Sequence, residues 1–145
     1  MSSNRPDPSL LQQVDDEEII YRLFPPAMYW AAAPDGQYLQ TSAFASSDFK
    51  VQANSYGSSV YVCSKLPNGI ADLESAQPKW RNFGFISVQV SELAQFGVRV
   101  YYSPQDCDYG EPLLSAHGSI IGLTRKTRDA LVEFLQIKIS RAPTP

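Results

Sequence analysis

The apolar runs of this chain are joined by connections that are mostly too short for a helix to cross back over a sheet. That constrains its fold more than any other feature, because parallel neighbours need a crossover of roughly a dozen residues or more. The prolines do much of the cutting. Pro25-Pro26 stops the β-rich run Ile19 to Phe24, Pro34-Asp35-Gly36 marks a turn, Pro67-Asn68-Gly69 ends the next apolar segment, and Ser103-Pro104 ends Val98 to Tyr102. Proline cannot donate to a sheet ladder, and Pro, Asn, Asp and Gly favour turns for separate physical reasons. The expectation is therefore an α+β fold, a mostly antiparallel sheet with a C-terminal helix and one or two short helices packed on it. The expected organisation is a flexible acidic segment over residues 1–18, a single domain over 19–139 and a flexible tail over 140–145.

Within that frame, Phe49 to Ala53 and Phe83 to Val90 read as strands, as do Val98 to Tyr102 and the surroundings of Ile120-Ile121. Tyr38 to Phe44 is strand-like, and Met28 to Ala33 is open between a helical turn and an extended segment. Tyr56, Val60, Cys63 and Leu66 fall at helical spacing, yet Ser59 to Val62 suits a strand equally well. Residues 70–82 read as loop or brief helix. Ser91 to Phe96 suggests a helical turn or two, capped by Ser91 and closed by Gly97. The clearest helix is the last one. It places Leu123, Ala130, Leu131, Phe134 and Leu135 on one stripe and Arg128, Glu133 and Gln136 opposite, with Thr124 or Thr127 as its cap.

A net charge of −3 and a pI of about 5.0 argue against nucleic acid as a partner. No apolar run approaches the length that spans a bilayer, and Met1 to Leu11 lacks the apolar core of a signal peptide, so a cytoplasmic location with reduced thiols is expected. Cys63 and Cys107 have no partners at zinc-site spacing, the glycines are isolated, and the carboxylates are scattered. No metal or cofactor is expected.

Two segments carry candidate chemistry. His117 is the only histidine, set among small residues in Ser115-Ala116-His117-Gly118-Ser119, and on a strand Ser115 and Ser119 would share its face. It is open to two readings, an acid, base or ligand on one side and a hydrogen-bonded structural residue on the other. The second segment is Thr124-Arg125-Lys126-Thr127-Arg128, where three cations crowd a helix start that favours anions. Thr124, Arg125, Lys126 and Arg128 are candidates for binding a small anion or an acidic protein partner, with His117 and Gly118 nearby on the preceding strand. A solvated basic face paired with Asp129 or Glu133 is the alternative.

The succession Ile20-Tyr21-Arg22-Leu23, Thr41-Ser42-Ala43-Phe44, Gly84-Phe85-Ile86-Ser87-Val88 and Ser115 to Gly122 resembles a loose group of small bacterial single-domain proteins of unknown function, over residues 19–123. The resemblance implies a bacterial origin and brings no activity. Tyr21-Arg22 and Thr41-Ser42 also resemble the first core strands of ADP-ribosyltransferase-like toxin domains. Those enzymes need a late acidic residue, and neither Glu111 nor Glu133 stands in a matching motif. The leading expectation is a non-enzymatic binding or protein-interaction domain. The alternative is a toxin-like transferase or other enzyme using Arg22, Ser42 and His117.

Overall fold

A computed structural model describes residues 12–25, 29–33, 36–39, 58–122 and 125–143. In chain order it contains β1 (Ile19–Phe24), β2 (Tyr29–Ala33), β3 (Gly36–Leu39), β4 (Ser58–Val62), α1 (Ile70–Ala76), β5 (Gly84–Gln89), α2 (Val90–Ala94), β6 (Arg99–Tyr102), α3 (Leu113–Ala116), β7 (His117–Ile121), α4 (Arg125–Leu135) and β8 (Ile139–Arg141). Single 3-10 turns occupy Cys63–Lys65, Pro78–Asn82, Pro104–Asp106 and Gln136–Lys138. Six strands form one sheet in the order β6-β7-β4-β1-β5-β8, and every pairing in it is antiparallel. β2 and β3 pair separately as a hairpin across the turn signal at 34–36. The fold is α+β, as the short connections require.

Alternation along the strands gives the sheet two unlike faces. Ile20, Phe24, Val60, Val62, Ile86, Val88, Val100 and Ile120 form the dry face, packed under Val90 and Leu93 of α2 and Leu131, Val132 and Leu135 of α4. The intervening residues Tyr21, Leu23 and Tyr61 face the other way, towards Leu73 of α1, Trp80 and the α3 residues Leu113 and Ala116.

The open choice at residues 59–62 resolves as strand, because Tyr61 sits between two partners, Tyr21 on β1 and His117 on β7. A central strand gains two ladders, which outweighs the helical spacing of Val60, Cys63 and Leu66. The N-cap of α2 is Gln89 rather than Ser91, in a capping box whose Glu92 carboxylate accepts the Gln89 amide at 3.2 Å. Gly97, at φ 78°, closes that segment as expected. The buried stripe of α4 is Leu131, Val132 and Leu135, so Ala130 is exposed and Val132 takes the place expected of it. Arg128 continues the stripe with its stem, its side chain only 15% exposed, instead of facing away. Thr127 lies within the first turn of α4 and is not its cap.

Residues 12–18 and 140–143, expected from the sequence to lie in the flexible ends, are among the described residues. Val14 is fully buried, its amide donates to the Val100 carbonyl at 2.9 Å, and the Tyr102 amide donates to the Gln12 carbonyl at 2.9 Å, so residues 12–14 cover the outer edge of β6. Edge pairing uses backbone groups and one buried side chain, and so leaves no periodic pattern to read. At the other end, Ser140 and Arg141 belong to β8. The strand expected at Phe49 to Ala53, Tyr56 and the stretch after Leu39 lie outside the described residues. Among the described residues, no helix is long and apolar enough to cross a membrane.

Candidate binding site

The histidine stands where β7 leaves α3, and the sheet places it beside the end of β6. Ser103 and His117 are tied by the backbone, with the Ser103 amide donating to the His117 carbonyl at 3.0 Å. The His117 Nδ1 lies 2.9 Å from the Ser103 carbonyl oxygen. A carbonyl only accepts, so Nδ1 carries the proton and Nε2 is the basic nitrogen of the neutral ring. Ser103 Oγ lies 3.0 Å from the same Nδ1 and 2.8 Å from Ser119 Oγ. All three residues are buried, and burial holds the His117 imidazole below its ordinary range. The Ser103 carbonyl and the charge of Asp108 pull the other way, more weakly.

This trio is not a serine-hydrolase arrangement. Ser103 Oγ faces the nitrogen that already holds a proton, and Ser103 is 0% exposed, so it has neither a base nor a path to substrate. Its effect is to fix the ring. Tyr61 packs edge-on against the imidazole at 5.3 Å between centroids, Trp80 tilts against Tyr61 at 6.1 Å, and Tyr109 meets Trp80 edge-on at 5.3 Å.

Beside these rings lies a cavity of about 280 Å³. Tyr61, Trp80, Phe83, Tyr109 and Leu23 supply its apolar wall, and Arg22, Ser59, Cys107, Asp108 and His117 its polar groups. Registered pairing between β1 and β4 covers only Ile20–Val62 and Tyr21–Tyr61. Next to that short ladder, Arg22 Nη1 donates to the Ser59 carbonyl at 2.8 Å, which sets the guanidinium at the cavity. Burial pushes the Tyr61 phenol well above its ordinary range, so it stays a donor at neutral pH. The Cys107 thiol is also raised by burial, and its Sγ donates to the Tyr109 carbonyl at 3.5 Å. Cys63 is separate from the cavity lining. Its Sγ donates to Tyr21 Oη at 3.1 Å, and burial, with that bond, pushes the Tyr21 phenol up to about 12. Both cysteines are free.

Of the residues singled out from sequence, Arg22 and His117 meet at this one cavity. Ser42 and Thr124 lie outside the described residues. Ser115 is not on the face of His117. It belongs to α3, is exposed, and both its amide (2.8 Å) and its hydroxyl (2.6 Å) donate to the Glu111 carboxylate, which holds that carboxyl below its usual range. The basic segment is elsewhere. Arg125 opens α4, Lys126 is exposed, and Arg128 Nε pairs with Asp129 at 3.1 Å. α4 follows the far end of β7 from His117, roughly 3.3 Å of strand per residue away, and it packs on the opposite face. Among the described residues, Lys126 and Arg128 on α4 therefore lie across the sheet from His117.

Trp80, Phe83, Cys107, Asp108 and Tyr109 complete the lining without a signal in the sequence, because turns and loops carry them and no periodicity marks a loop residue as a wall. Among the described residues, no three His, Cys, Asp or Glu side chains are grouped to hold a metal. No family model, curated protein or solved structure matches the chain, so any functional reading rests on the cavity itself.

Proposed function

We propose that this chain is a non-enzymatic binding domain, and that its site is the aromatic cavity between β1, β4, β7 and the turn at Pro78–Asn82. The observation that supports the reading is the combination of lining groups. Four aromatic rings and two polar side chains held by hydrogen bonds, Arg22 and His117, border one cavity, while its thiol is held neutral by burial. Aromatic rings gain most from a flat apolar body, and a few fixed polar groups set its orientation. The ligand class is a small molecule with a planar ring and a polar edge. Cys107 as a neutral thiol and His117 as a neutral imidazole do not form the charged pair of a cysteine nucleophile.

The test is a titration of indole, benzoate and benzamidine into labelled protein, followed through the Trp80 indole N–H resonance. Saturable shifts at Trp80 that disappear in Tyr109→Ala are expected for at least one probe. Shifts in no probe, or shifts indifferent to Tyr109→Ala, sink the proposal. One observation favours the transferase reading as runner-up, the presence of Arg22 and His117 at the same cavity. Release of nicotinamide from NAD, abolished by His117→Gln and by Arg22→Lys, would replace the binding reading with that one.

A further inference from the structure

The wall of the cavity is held from outside the cavity, by the last strand of the sheet. Arg141 on β8 reaches the 3-10 turn that carries Trp80 and runs into Phe83. Its Nε donates to the Phe83 carbonyl at 3.0 Å, and Nη2 donates to the Phe83 carbonyl at 2.8 Å and the Trp80 carbonyl at 3.0 Å. Nη1 donates to the Glu74 carboxylate on α1 at 2.6 Å. The guanidinium also lies 5.1 Å over the ring of Phe85, the residue Arg141 faces in the ladder. Gly84 permits this approach, since a Cβ there would stand 2.6 Å from the Arg141 carbonyl oxygen and 2.5 Å from the Phe24 ring.

A turn of five residues has little hydrogen bonding of its own to fix two side chains. Here one planar fork takes both carbonyls that flank the wall and anchors them to a helix. From Trp80 the contact continues to Tyr61 and on to His117. Lysine could keep the charge opposite Glu74 but has no fork to span the two carbonyls.

We propose that Arg141 is the positioning residue of the cavity, so that affinity at the site is coupled to docking of the C-terminal strand through Trp80 and Phe83. The coupling to affinity rests on the cavity being the binding site, whereas the wall geometry can be tested without any ligand. The experiment uses the full chain with Trp30→Phe, which leaves Trp80 as the only tryptophan. Acrylamide quenching of Trp80 and indole binding are measured for this parent, for Arg141→Lys and for Ser140→Ala. Ser140 Oγ is 2.7 Å from Ser87 Oγ, an exposed β8–β5 contact away from the wall, so its variant reports strand loosening alone. Arg141→Lys is expected to raise the quenching constant about twofold and weaken indole roughly tenfold, about the loss of one charge-assisted hydrogen bond, with a thermal midpoint close to that of Ser140→Ala. Ser140→Ala is expected to leave both readouts at parent values. If the parent binds no indole while quenching still rises in Arg141→Lys, the wall is positioned as proposed and the binding reading of the cavity fails. Unchanged quenching in Arg141→Lys, or an equal rise in Ser140→Ala, overturns the positioning role.

Discussion

Strand β4 turns Val60 and Val62 to one face of the sheet and Ser59 and Tyr61 to the other, and the chain covers those two faces by different means. On the aliphatic face, α2 and α4 lay Leu93, Leu131, Val132 and Leu135 over valines and isoleucines, all of them buried. On the aromatic face, α1, α3 and a 3-10 turn leave a cavity, and the groups near it are held by particular hydrogen bonds: Ser103 to His117 and Ser119, Arg22 to Ser59, Arg141 to Trp80 and Phe83. Dispersion and water exclusion hold the first face and tolerate exchanges that keep volume. The second depends on individual donors and acceptors, which specify positions at higher risk, because an unpaired buried polar group is costly. Stability and site geometry are therefore separable here, and mutations on the two faces should have different signatures.

The largest effect should come from the aliphatic face. Leu131→Ala removes a fully buried side chain and is expected to cost about 2–5 kcal/mol in denaturant unfolding. It should leave Trp80 quenching unchanged well below the transition. A matching change at Trp80 would break the claim that the faces are separable.

Ser103→Ala comes next. It strips Ser119 Oγ and His117 Nδ1 of one buried partner each while the Ser103 carbonyl stays in place, and is expected to cost about 1–3 kcal/mol. Chemical denaturation checks the figure, and a loss under about 0.5 kcal/mol would show the polar trio to be incidental.

Stability should also depend on pH through His117. Burial lowers the folded-state pKa of His117 below its ordinary value of 6.5, so between those two values the unfolded chain binds the extra proton. Stability from this group is complete above pH 6.5 and is lost as the pH falls through that window towards the folded value. Unfolding free energies measured from pH 7.5 downwards, on the order of one unit either side of the ordinary value, should fall more steeply for wild type than for His117→Gln. Parallel curves would mean that the ring gains as much from Asp108 and the Ser103 carbonyl as it loses by burial.

The smallest effect is expected at the rim of the aliphatic face. Lys138 Nζ pairs with Glu92 at 2.7 Å, both side chains about a third exposed, and the pairing is the first cause of the lowered Glu92 carboxyl. Lys138→Ala should cost about 0–1 kcal/mol, less at high salt. A larger loss would mean that the C-terminal turn supports α2 through more than this pair.

Only local signals are legible in the sequence. β1, β5 and β6 announce themselves through short β-rich runs stopped by proline, glycine or a helical turn. The C-terminal helix is visible too, with Leu131 and Leu135 on its buried stripe as expected, but the stripe takes in Val132 and leaves Ala130, on the other side of Leu131, exposed. Arg22 and His117 stand out by residue type, and nothing in the sequence says that they share a cavity. Residues 12–14 and 140–141 carry no strand signal, because edge strands depend on a neighbour's backbone, which no local pattern records.

Connections mostly too short for crossovers are enough to set the class of fold, whereas the two unlike faces of β4 exist because pairing with β1 and β7 makes residues 59–62 a strand. What covers those faces depends on the order of the strands. The order β6-β7-β4-β1-β5-β8 brings Tyr61 beside His117, Ser119 near Ser103, and Arg141 onto the turn that carries Trp80. Those residues lie between 14 and 61 positions apart in most of the bonds that matter, including Ser103–His117, Arg22–Ser59 and Arg141–Trp80. Side-chain periodicity is set by neighbours along the chain, whereas a binding site is set by neighbours in space, and the second set exists only once the sheet has closed its long-range ladders.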